Sequence, residues 1–407
     1  MHHTSSRFSK RITSWRPMMH DEKIDRRTLL KRSLNTTMAV GAVATIPQWA
    51  MPALAQGEEL VLFTDMPADF SRGPAIPGGT HFLDTRQITS FYTDNADFYV
   101  VQHYGQPEVD IGSYRLKVTG LVETEREYTL SDLQQRSQFQ QNAGFECGGN
   151  SPRLYNGLIG NANWGGVRLR DILAECGIKP EGKEVVFFGA DSGTENIRDT
   201  DVEQNFARSL STEDAMRSEN MLALQMNGEA LPQFHGRPLR LLVPGFYGVA
   251  NVKWLTQIHV QDRRFMSRFM GRDYVTLKKE MIGGQERWVE NSVTRIQLKS
   301  AITRVTRMGN THKISGFVLT DGVGVRSVEV KIDNGPWMQA QLDSGATKYS
   351  WKLFQYQWNN ASPGEHTIVS RVTDANGNVQ FTAEQMPEKI SRWENYGQIP
   401  RTLVIAG

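Results

Sequence analysis

The stretch LALQMNGEALPQFHGRPLRLLVPGFYGVANVKWL, residues 222–255, alternates short apolar runs with turn signals. Its first strand is expected to turn at Asn227-Gly228, because this dipeptide favours a tight hairpin turn. Two further apolar runs follow and predict two more buried strands. They contain Arg240 and Lys253, whose charges would be costly in such strands without a partner. The stretch therefore predicts either a clamp for a bound anion or ordinary internal ion pairs.

A cysteine in a glycine-rich turn precedes this block. Cys147 lies in NAGFECGGNSPRLYNGLIGNANWGGVRLR, residues 142–170, and the Gly-Gly-Asn after it suits a tight turn that presents a thiol to a ligand. The other cysteine, Cys176, lies in an apolar pattern of helical spacing with Gly177 placed as the C-cap. We expect the two cysteines to remain unpaired. Taken alone, Cys147 fits an inert packed thiol better than a functional one.

The remaining sequence predicts two domains. Short strands and helices without regular βαβ spacing over residues 98–285 predict an α+β domain. A Pro-, Gly- and Asp-rich arm, residues 56–97, precedes it. Over residues 290–390, short strands separated by Asn-Gly and Asp-Gly turns predict an all-β sandwich of immunoglobulin type. Residues 391–407 are expected to form a C-terminal tail.

Three local elements of the first domain can be predicted with their boundaries. The apolar run at residues 98–104 predicts a strand. Residues 130–135 predict a short helix with Ser131 as its N-cap, and a further helix is expected to begin near Leu210.

Residues 1–55 have the features of an export signal. Arg26 and Arg27 precede a mildly apolar segment, residues 36–46, and an Ala-x-Ala cleavage sequence, residues 53–55. The paired arginines resemble the twin-arginine signal, which exports folded proteins, whereas the alternative is a solvated basic tail. We therefore expect a periplasmic protein.

Charge and hydropathy exclude two classes of protein. Residues 1–55 hold nine Lys or Arg and three Asp or Glu, so the formal charge is +2 for the whole chain and −4 without them. A nucleic-acid-binding protein would be expected to keep a basic surface. Beyond residue 55 no apolar run approaches the roughly 18 residues of a membrane span. We expect neither nucleic-acid binding nor an integral membrane protein.

The order of these features is similar to that of one enzyme family. The cysteine loop is followed by Trp-Gly-Gly-Val-Arg-Leu, and the block at residues 222–255 contains Asn-Gly-Glu, His-Gly-x-Pro-x-Arg, Val-Pro-Gly and Val-Lys-Trp. With the C-terminal sandwich, this order resembles the sulfite oxidase family of molybdenum enzymes over residues 95–385. The resemblance implies a molybdopterin-binding domain followed by an immunoglobulin-like sandwich that mediates homodimer contact.

The resemblance also implies a cofactor and its ligands. One pyranopterin would hold molybdenum through its dithiolene, and the thiolate of Cys147 would complete the attachment as metal ligand and catalytic residue. The other implied cofactor contacts are Tyr99, His103, Asp191, His235, Arg240 and Lys253. The sequence has no Cys-x-x-Cys-His and no cysteine set for an iron–sulfur cluster, so we expect no haem or cluster in this chain.

Two departures from the family pattern concern the substrate. The family's sulfite-binding arginine, two residues before His103, is replaced by Val101, which should weaken the binding of a dianion. The family's substrate-side tyrosine, expected between residues 191 and 201, is missing. Arg153 is the predicted replacement for the positive charge. Arg168 is an alternative, although a structural role fits it equally well.

These observations predict a periplasmic molybdenum-cofactor oxidoreductase. It would transfer an oxygen atom on a small sulfur compound, by sulfite or sulfane-type oxidation, and pass electrons to a c-type cytochrome. We expect a homodimer or a complex with a cytochrome subunit. Two alternatives remain open. One is a reductase of a neutral sulfoxide-type substrate, which would not need the missing arginine. The other is a non-catalytic periplasmic partner subunit that retains the fold.

Overall fold

The computed structural model describes residues 54–67 and 81–406, so nearly all of the predicted export signal lies outside the described residues. The strands up to residue 261 are β1 Glu59–Val61, β2 Arg115–Gly120, β3 Arg126–Thr129, β4 Phe139–Glu146, β5 Ile159–Arg168, β6 Glu184–Ile197, β7 Thr200–Ser211, β8 Met221–Met226, β9 Glu229–Ala230, β10 Arg240–Leu242 and β11 Leu255–Gln261. The later strands are β12 Val275–Ile282, β13 Gln285–Ser292, β14 Lys299–Met308, β15 Thr311–Leu319, β16 Val325–Ile332, β17 Met338–Gln339, β18 Gln341–Leu342, β19 Lys352–Asn359, β20 Gly364–Asp374, β21 Lys389–Ile390 and β22 Arg401–Ile405.

Helices are few in the part of the chain that the structure describes. They are α1 Leu130–Gln134, α2 Leu169–Cys176, α3 Thr212–Ala215, a π-helical turn at Arg268–Arg272, and 3-10 turns at Thr85–Gln87, Pro152–Leu154, Gln233–His235 and Gly248–Ala250. The predicted α+β class is therefore met only in part, because the described chain is mostly β-structure. None of the described helices is long and apolar enough to span a membrane.

Two sheets carry the first half of the chain. One has the order β10-β8-β5-β4, with β9 paired to β8, and the other has the order β3-β2-β11-β6-β7. Strand β11 runs parallel to β2 and antiparallel to β6. The block at residues 222–255 thus supplies strands to both sheets. The loops within this block lie where the two sheets meet, and they position the site described below.

Two further sheets carry the C-terminal part. Their orders are β1-β14-β15-β19-β18 and β17-β16-β20-β22, and one apolar cluster draws buried side chains from both. The N-terminal arm contributes β1, and the segment predicted as a tail contributes β22. The predicted strands of the sandwich are present, whereas its immunoglobulin type stays a prediction. The hairpin β12-β13 forms a fifth sheet with β21.

Three local predictions need correction. Residues 98–104 are not a strand: Val100 forms only an isolated antiparallel bridge with His81, and residues 98–103 line one cavity. The N-cap of α1 is Thr129 rather than Ser131, because Thr129 and Asp132 form a capping box. The helix predicted from Leu210 is shorter, because β7 continues to Ser211. By contrast, α2 ends as predicted, with Gly177 at φ 70°.

Candidate active site

One cavity brings together residues that lie far apart in the sequence. The predicted metal and cofactor residues all line it, namely Tyr99, His103, Cys147, Asp191, His235, Arg240 and Lys253. Much of the remaining wall is apolar and includes Phe145, Phe206 and Val249. The cavity is therefore an apolar pocket with a few convergent polar groups, which is the usual form of a small-molecule or cofactor site.

Cys147 lies directly after β4 and is only 7% exposed. Its turn is closed by the N–H of Asn150, which donates to the Cys147 carbonyl at 2.9 Å. Burial raises the pKa of the thiol, although hydrogen bonds from the Gly149 N–H and the Tyr274 hydroxyl favour the thiolate. A buried thiol of this kind ionises readily only when a metal ion takes the place of its proton.

Tyr274 is a site residue that the sequence did not reveal. It precedes β12, its backbone adopts φ 50°, and its hydroxyl lies 2.9 Å from Nε2 of His103 as well as bonding the Cys147 thiol. The substrate-side tyrosine was expected between residues 191 and 201. The structure instead brings a tyrosine from much later in the chain, and no local motif marks it.

Two cations of the cavity are desolvated and lack a carboxylate partner among the described residues. Arg240 donates to the carbonyls of His235 and Asn251 at 3.2 and 3.1 Å, and its Nε is buried without an acceptor. Lys253 donates to the Phe234 carbonyl at 3.0 Å. Burial lowers the pKa of Arg240 to about 10 and, with the help of Arg240, that of Lys253 to about 7. Such a pair favours an anionic ligand.

Asp191 faces these cations without forming an ion pair. Its Oδ1 is buried and has no hydrogen-bond partner in the described structure. Burial raises the pKa of Asp191 to about 6, with Lys253 opposing the shift. This carboxyl group is therefore available to a ligand, either as an acceptor or, when protonated, as a donor.

Both histidines of the cavity are held neutral. Burial and the charge of Lys253 lower the pKa of His103 to about 4, whereas burial and Arg240 lower that of His235 to about 3. Nε2 of His235 lies 2.9 Å from the Asn95 carbonyl, so this nitrogen carries the proton and Nδ1 remains an acceptor. The positive charge of the cavity therefore comes from Arg240 and Lys253.

One wall of the cavity is shaped by the close approach of the Gly248 backbone to the Tyr99 ring. A Cβ atom at Gly248 would lie 2.0 Å from the Tyr99 hydroxyl and 3.4 Å from the Glu146 carbonyl. Only glycine fits between these groups. Tyr99 itself is buried and stacks on Phe98 at 5.4 Å between ring centroids. The glycine thus allows Tyr99 to reach into the cavity.

The C-terminal segment closes the cysteine loop from the other side. The Trp393 ring stacks on Tyr274 with centroids 4.1 Å apart, and the Glu394 N–H donates to the Gly148 carbonyl at 2.7 Å. The guanidinium of Arg392 lies 4.5 Å from the centre of the Trp393 ring. Arg392 is exposed, yet its charge acts on the Cys147 thiol, on His103 and on Tyr274. Sequence patterns gave no signal for this segment.

The remaining predicted residues have different positions. Arg153 lies on an exposed turn, Pro152–Leu154, and does not line the cavity, because the chain reaches the surface directly after the cysteine loop. Arg168 donates to the Ser218 carbonyl and covers the Phe139 ring, which is a structural role. Val101 does line the cavity, so the missing arginine leaves an apolar wall there.

Comparison with known proteins identifies the class. Residues 103–269 match the model of the oxidoreductase molybdopterin binding domain. Mitochondrial sulfite oxidase of Rattus norvegicus is 28% identical over 322 residues, covering 72% of this chain and 57% of that protein. Sulfite oxidase of Arabidopsis thaliana is 29% identical over 332 residues, covering 72% of this chain and 83% of that protein. The chain thus spans little more than half the length of the rat relative.

A solved structure extends the likeness to the fold. The sulfane dehydrogenase SoxCD from Paracoccus pantotrophus superposes with a TM-score of 0.69 at 26% identity, covering 84% of this chain and 90% of that one. The chain carries a molybdopterin-binding oxidoreductase domain. It resembles the sulfite oxidase family of molybdopterin oxidoreductases.

The cavity fits the cofactor of this family. Arg240 and Lys253 are cations without carboxylate partners, Asp191 offers an orphaned oxygen, and Cys147 offers a soft sulfur ligand. Among residues 54–67 and 81–406, no three His, Cys, Asp or Glu side chains form a group that could hold a metal ion. In this cavity a metal would therefore combine the single thiolate with ligands that the pterin supplies.

Proposed function

We propose that this protein is a molybdenum-cofactor oxidoreductase that transfers an oxygen atom on a sulfur compound and passes the electrons to a c-type cytochrome. The observation that carries the proposal is one cavity that joins a buried thiol to two unpaired cations. The names of the relatives, sulfite oxidase and sulfane dehydrogenase, support oxidation of sulfur rather than another chemistry.

The cavity residues divide into two sets. Arg240, Lys253 and His235 would hold the anionic end of the pterin, and the thiolate of Cys147 would hold the metal. When bound, the cofactor would supply the two-electron oxygen-atom chemistry. The protein's own contribution is to keep the thiol buried and to present neutral imidazoles with fixed donor positions.

Tyr274, His103 and Arg392 form the second set, on the substrate side. The Tyr274 hydroxyl hydrogen-bonds the thiol and lies 2.9 Å from Nε2 of His103, so these two side chains can orient a substrate oxygen through hydrogen bonds. Arg392 is exposed beside Trp393, and its positive charge acts on the Cys147 thiol, whereas Val101 gives the cavity an apolar wall. We infer that Arg392, rather than Arg153, attracts the anionic substrate.

A second candidate is a reductase of a neutral sulfoxide-type substrate. The observation that favours it is Val101, which lines the cavity where an anion-binding arginine would be expected. A neutral, partly apolar substrate would fit this wall without a cation. The two candidates share the cofactor and differ in substrate charge and in the direction of electron flow.

The cellular setting is part of the proposal. The paired arginines and the Ala-x-Ala sequence support export by the twin-arginine route to the periplasm. We also propose that the C-terminal sheets form an immunoglobulin-like sandwich that mediates a homodimer. The acceptor would be a separate c-type cytochrome, since the sequence lacks a haem-attachment motif.

Steady-state turnover tests the proposal. The holoprotein would be assayed with sulfite and cytochrome c, and separately with methionine sulfoxide and a reduced viologen dye. Sulfite-dependent reduction of the cytochrome supports the proposal, whereas sulfoxide reduction alone favours the second candidate. R392Q should raise the KM for sulfite about tenfold, because it removes a charge-assisted contact. R153Q, a matched exposed arginine, should leave KM unchanged.

A further inference from the structure

A buried arginine outside the cavity has no role in the function described so far. Arg208 lies on β7 and is 2% exposed. No carboxylate of the described residues pairs with its guanidinium, which donates from Nη1 to the Phe269 carbonyl and from Nη2 to the Val293 carbonyl, the latter at 2.6 Å. Because burying an unpaired cation is costly, the arrangement needs an explanation beyond packing.

The two carbonyls that Arg208 contacts flank a single excursion of the chain. Phe269 lies before Tyr274, and Val293 follows directly after the hairpin β12-β13. The hairpin is also closed at its base, where Ser292 donates to the Met270 carbonyl. Arg208 therefore fastens the beginning and the end of the segment that carries Tyr274.

Phe269 and Val293, whose carbonyls Arg208 contacts, also touch residues of the site. The N–H of Val293 donates to the Tyr274 carbonyl at 2.8 Å, and a Cβ at Gly148 would lie 2.9 Å from a Val293 methyl group. The Phe269 ring packs on His103, with ring centroids 4.7 Å apart. Fixing the two carbonyls thus fixes the backbone of Tyr274 and one face of His103.

We propose that Arg208 is a positioning residue that holds the Tyr274 hydroxyl on the Cys147 thiol and on His103 by clamping both ends of residues 269–293. A planar guanidinium with several N–H donors can reach two carbonyls at fixed geometry, whereas an ammonium group is a point donor. The inference rests on the proposed function only in assigning the thiol to a metal. The clamp itself is a property of the polypeptide.

The test measures the thiol rather than turnover. In the full-length, cofactor-free chain with Cys176→Ser as background, Cys147 is the sole cysteine, and its rate of reaction with a disulfide reagent reports its surroundings. Tyr274→Phe, which removes the hydroxyl directly, should change this rate. Arg208→Lys should change it in the same direction by about tenfold, because the displaced Tyr274 hydroxyl no longer donates its hydrogen bond to the thiolate.

The double variant separates positioning from general destabilisation. If Arg208 acts through Tyr274, R208K combined with Y274F should react at the rate of Y274F alone. A rate for R208K equal to that of the background, or effects of the two variants that multiply, would overturn the inference. Because the assay needs no molybdenum, its outcome is independent of whether the proposed function holds.

Folding is controlled separately. Thermal unfolding of each variant shows whether the global fold is retained at the assay temperature. Should R208K fail to fold, Arg208→Gln carries the same test, because its amide can still donate to one of the two carbonyls. R208Q is then expected to match Y274F in thiol reactivity, and a rate like that of the background contradicts the clamp.

Discussion

The ammonium of Lys299 lies 2.8 Å from Oε2 of Glu146, the residue before Cys147, and both side chains are almost completely buried. Asn150, at the end of the cysteine loop, donates to the same carboxylate oxygen at 2.8 Å. Lys299 belongs to β14 of a C-terminal sheet, whereas Glu146 ends β4. A single ion pair thus attaches the cysteine loop to the C-terminal part of the chain.

Breaking this pair should be costly. We expect K299M to lower the free energy of unfolding by about 3–5 kcal/mol, because it leaves a buried carboxylate unpaired. Urea titration measures the change. The double variant E146Q/K299M should recover part of the loss. K117M, which removes an exposed partner of Glu127, should cost less than about 1 kcal/mol. Equal losses for K299M and K117M would contradict this interpretation.

Gly248 allows Tyr99 to enter the cavity, so G248A should displace the ring. A Cβ atom 2.0 Å from the Tyr99 hydroxyl forces a shift, and such overpacking costs about 1–3 kcal/mol. We expect G248A to retain less cofactor, measured as pterin released on denaturation. G324A is the control, since its nearest contact would be an ordinary 3.4 Å. Normal pterin content in G248A would show that the tight approach is irrelevant.

Lys253 should affect both the pH dependence of stability and the binding of the cofactor. Burial lowers its pKa from 10.5 to about 7 in the folded protein. The unfolded chain therefore binds more protons between these pH values, so this group makes the cofactor-free protein more stable as pH rises through them. K253M should remove that rise and hold less cofactor. Chemical denaturation at several pH values checks the first effect and pterin analysis the second. If the stability of K253M rose with pH as that of wild type does, the lowered pKa of Lys253 would be refuted.

His366 predicts a pH dependence of opposite sign. Its Nδ1 lies 2.7 Å from an Asp333 carboxylate oxygen and its Nε2 2.8 Å from the Ser362 carbonyl. Burial opposes the charged form, yet these two acceptors raise the pKa of His366 above 6.5. The stabilisation is therefore complete below pH 6.5 and is lost as pH rises through the folded-state pKa. Thermal melts of H366Q at several pH values should not show this loss of stability. If the melting temperature of H366Q depended on pH as that of wild type does, His366 would be excluded as the source of the loss.

The sequence predicted those parts of the fold and site that local patterns encode. Asn227-Gly228 marked the β8-β9 turn, and helical spacing with Gly177 marked α2. The apolar runs around Arg240 and Lys253 predicted an anion clamp or internal ion pairs, the resemblance implied cofactor contacts, and both residues line the cavity. These features depend on short-range chemistry, which a single sequence displays.

The parts that were missed depend on long-range packing. Tyr274 bonds the thiol, and Trp393 packs on Tyr274 with Arg392 beside it, only because the hairpin β12-β13 and the C-terminal segment fold back onto the cysteine loop. Residues 98–103 have the apolar character of a strand, but they form no strand and line the cavity instead. Arg153 is close to Cys147 in sequence, yet its turn lies at the surface. Closeness to Cys147 in the sequence therefore did not predict which residues line the cavity.

The central claim is that Cys147 holds a molybdenum cofactor, and metal content tests it most directly. The protein would be purified from a host that makes the cofactor, and molybdenum would be measured by mass spectrometry for wild type, C147S and C176S. We predict about one molybdenum per chain in wild type and in C176S, whose buried thiol does not line the cavity, and a large loss in C147S. Wild-type protein without molybdenum, or C147S with unchanged content and turnover, would contradict the account.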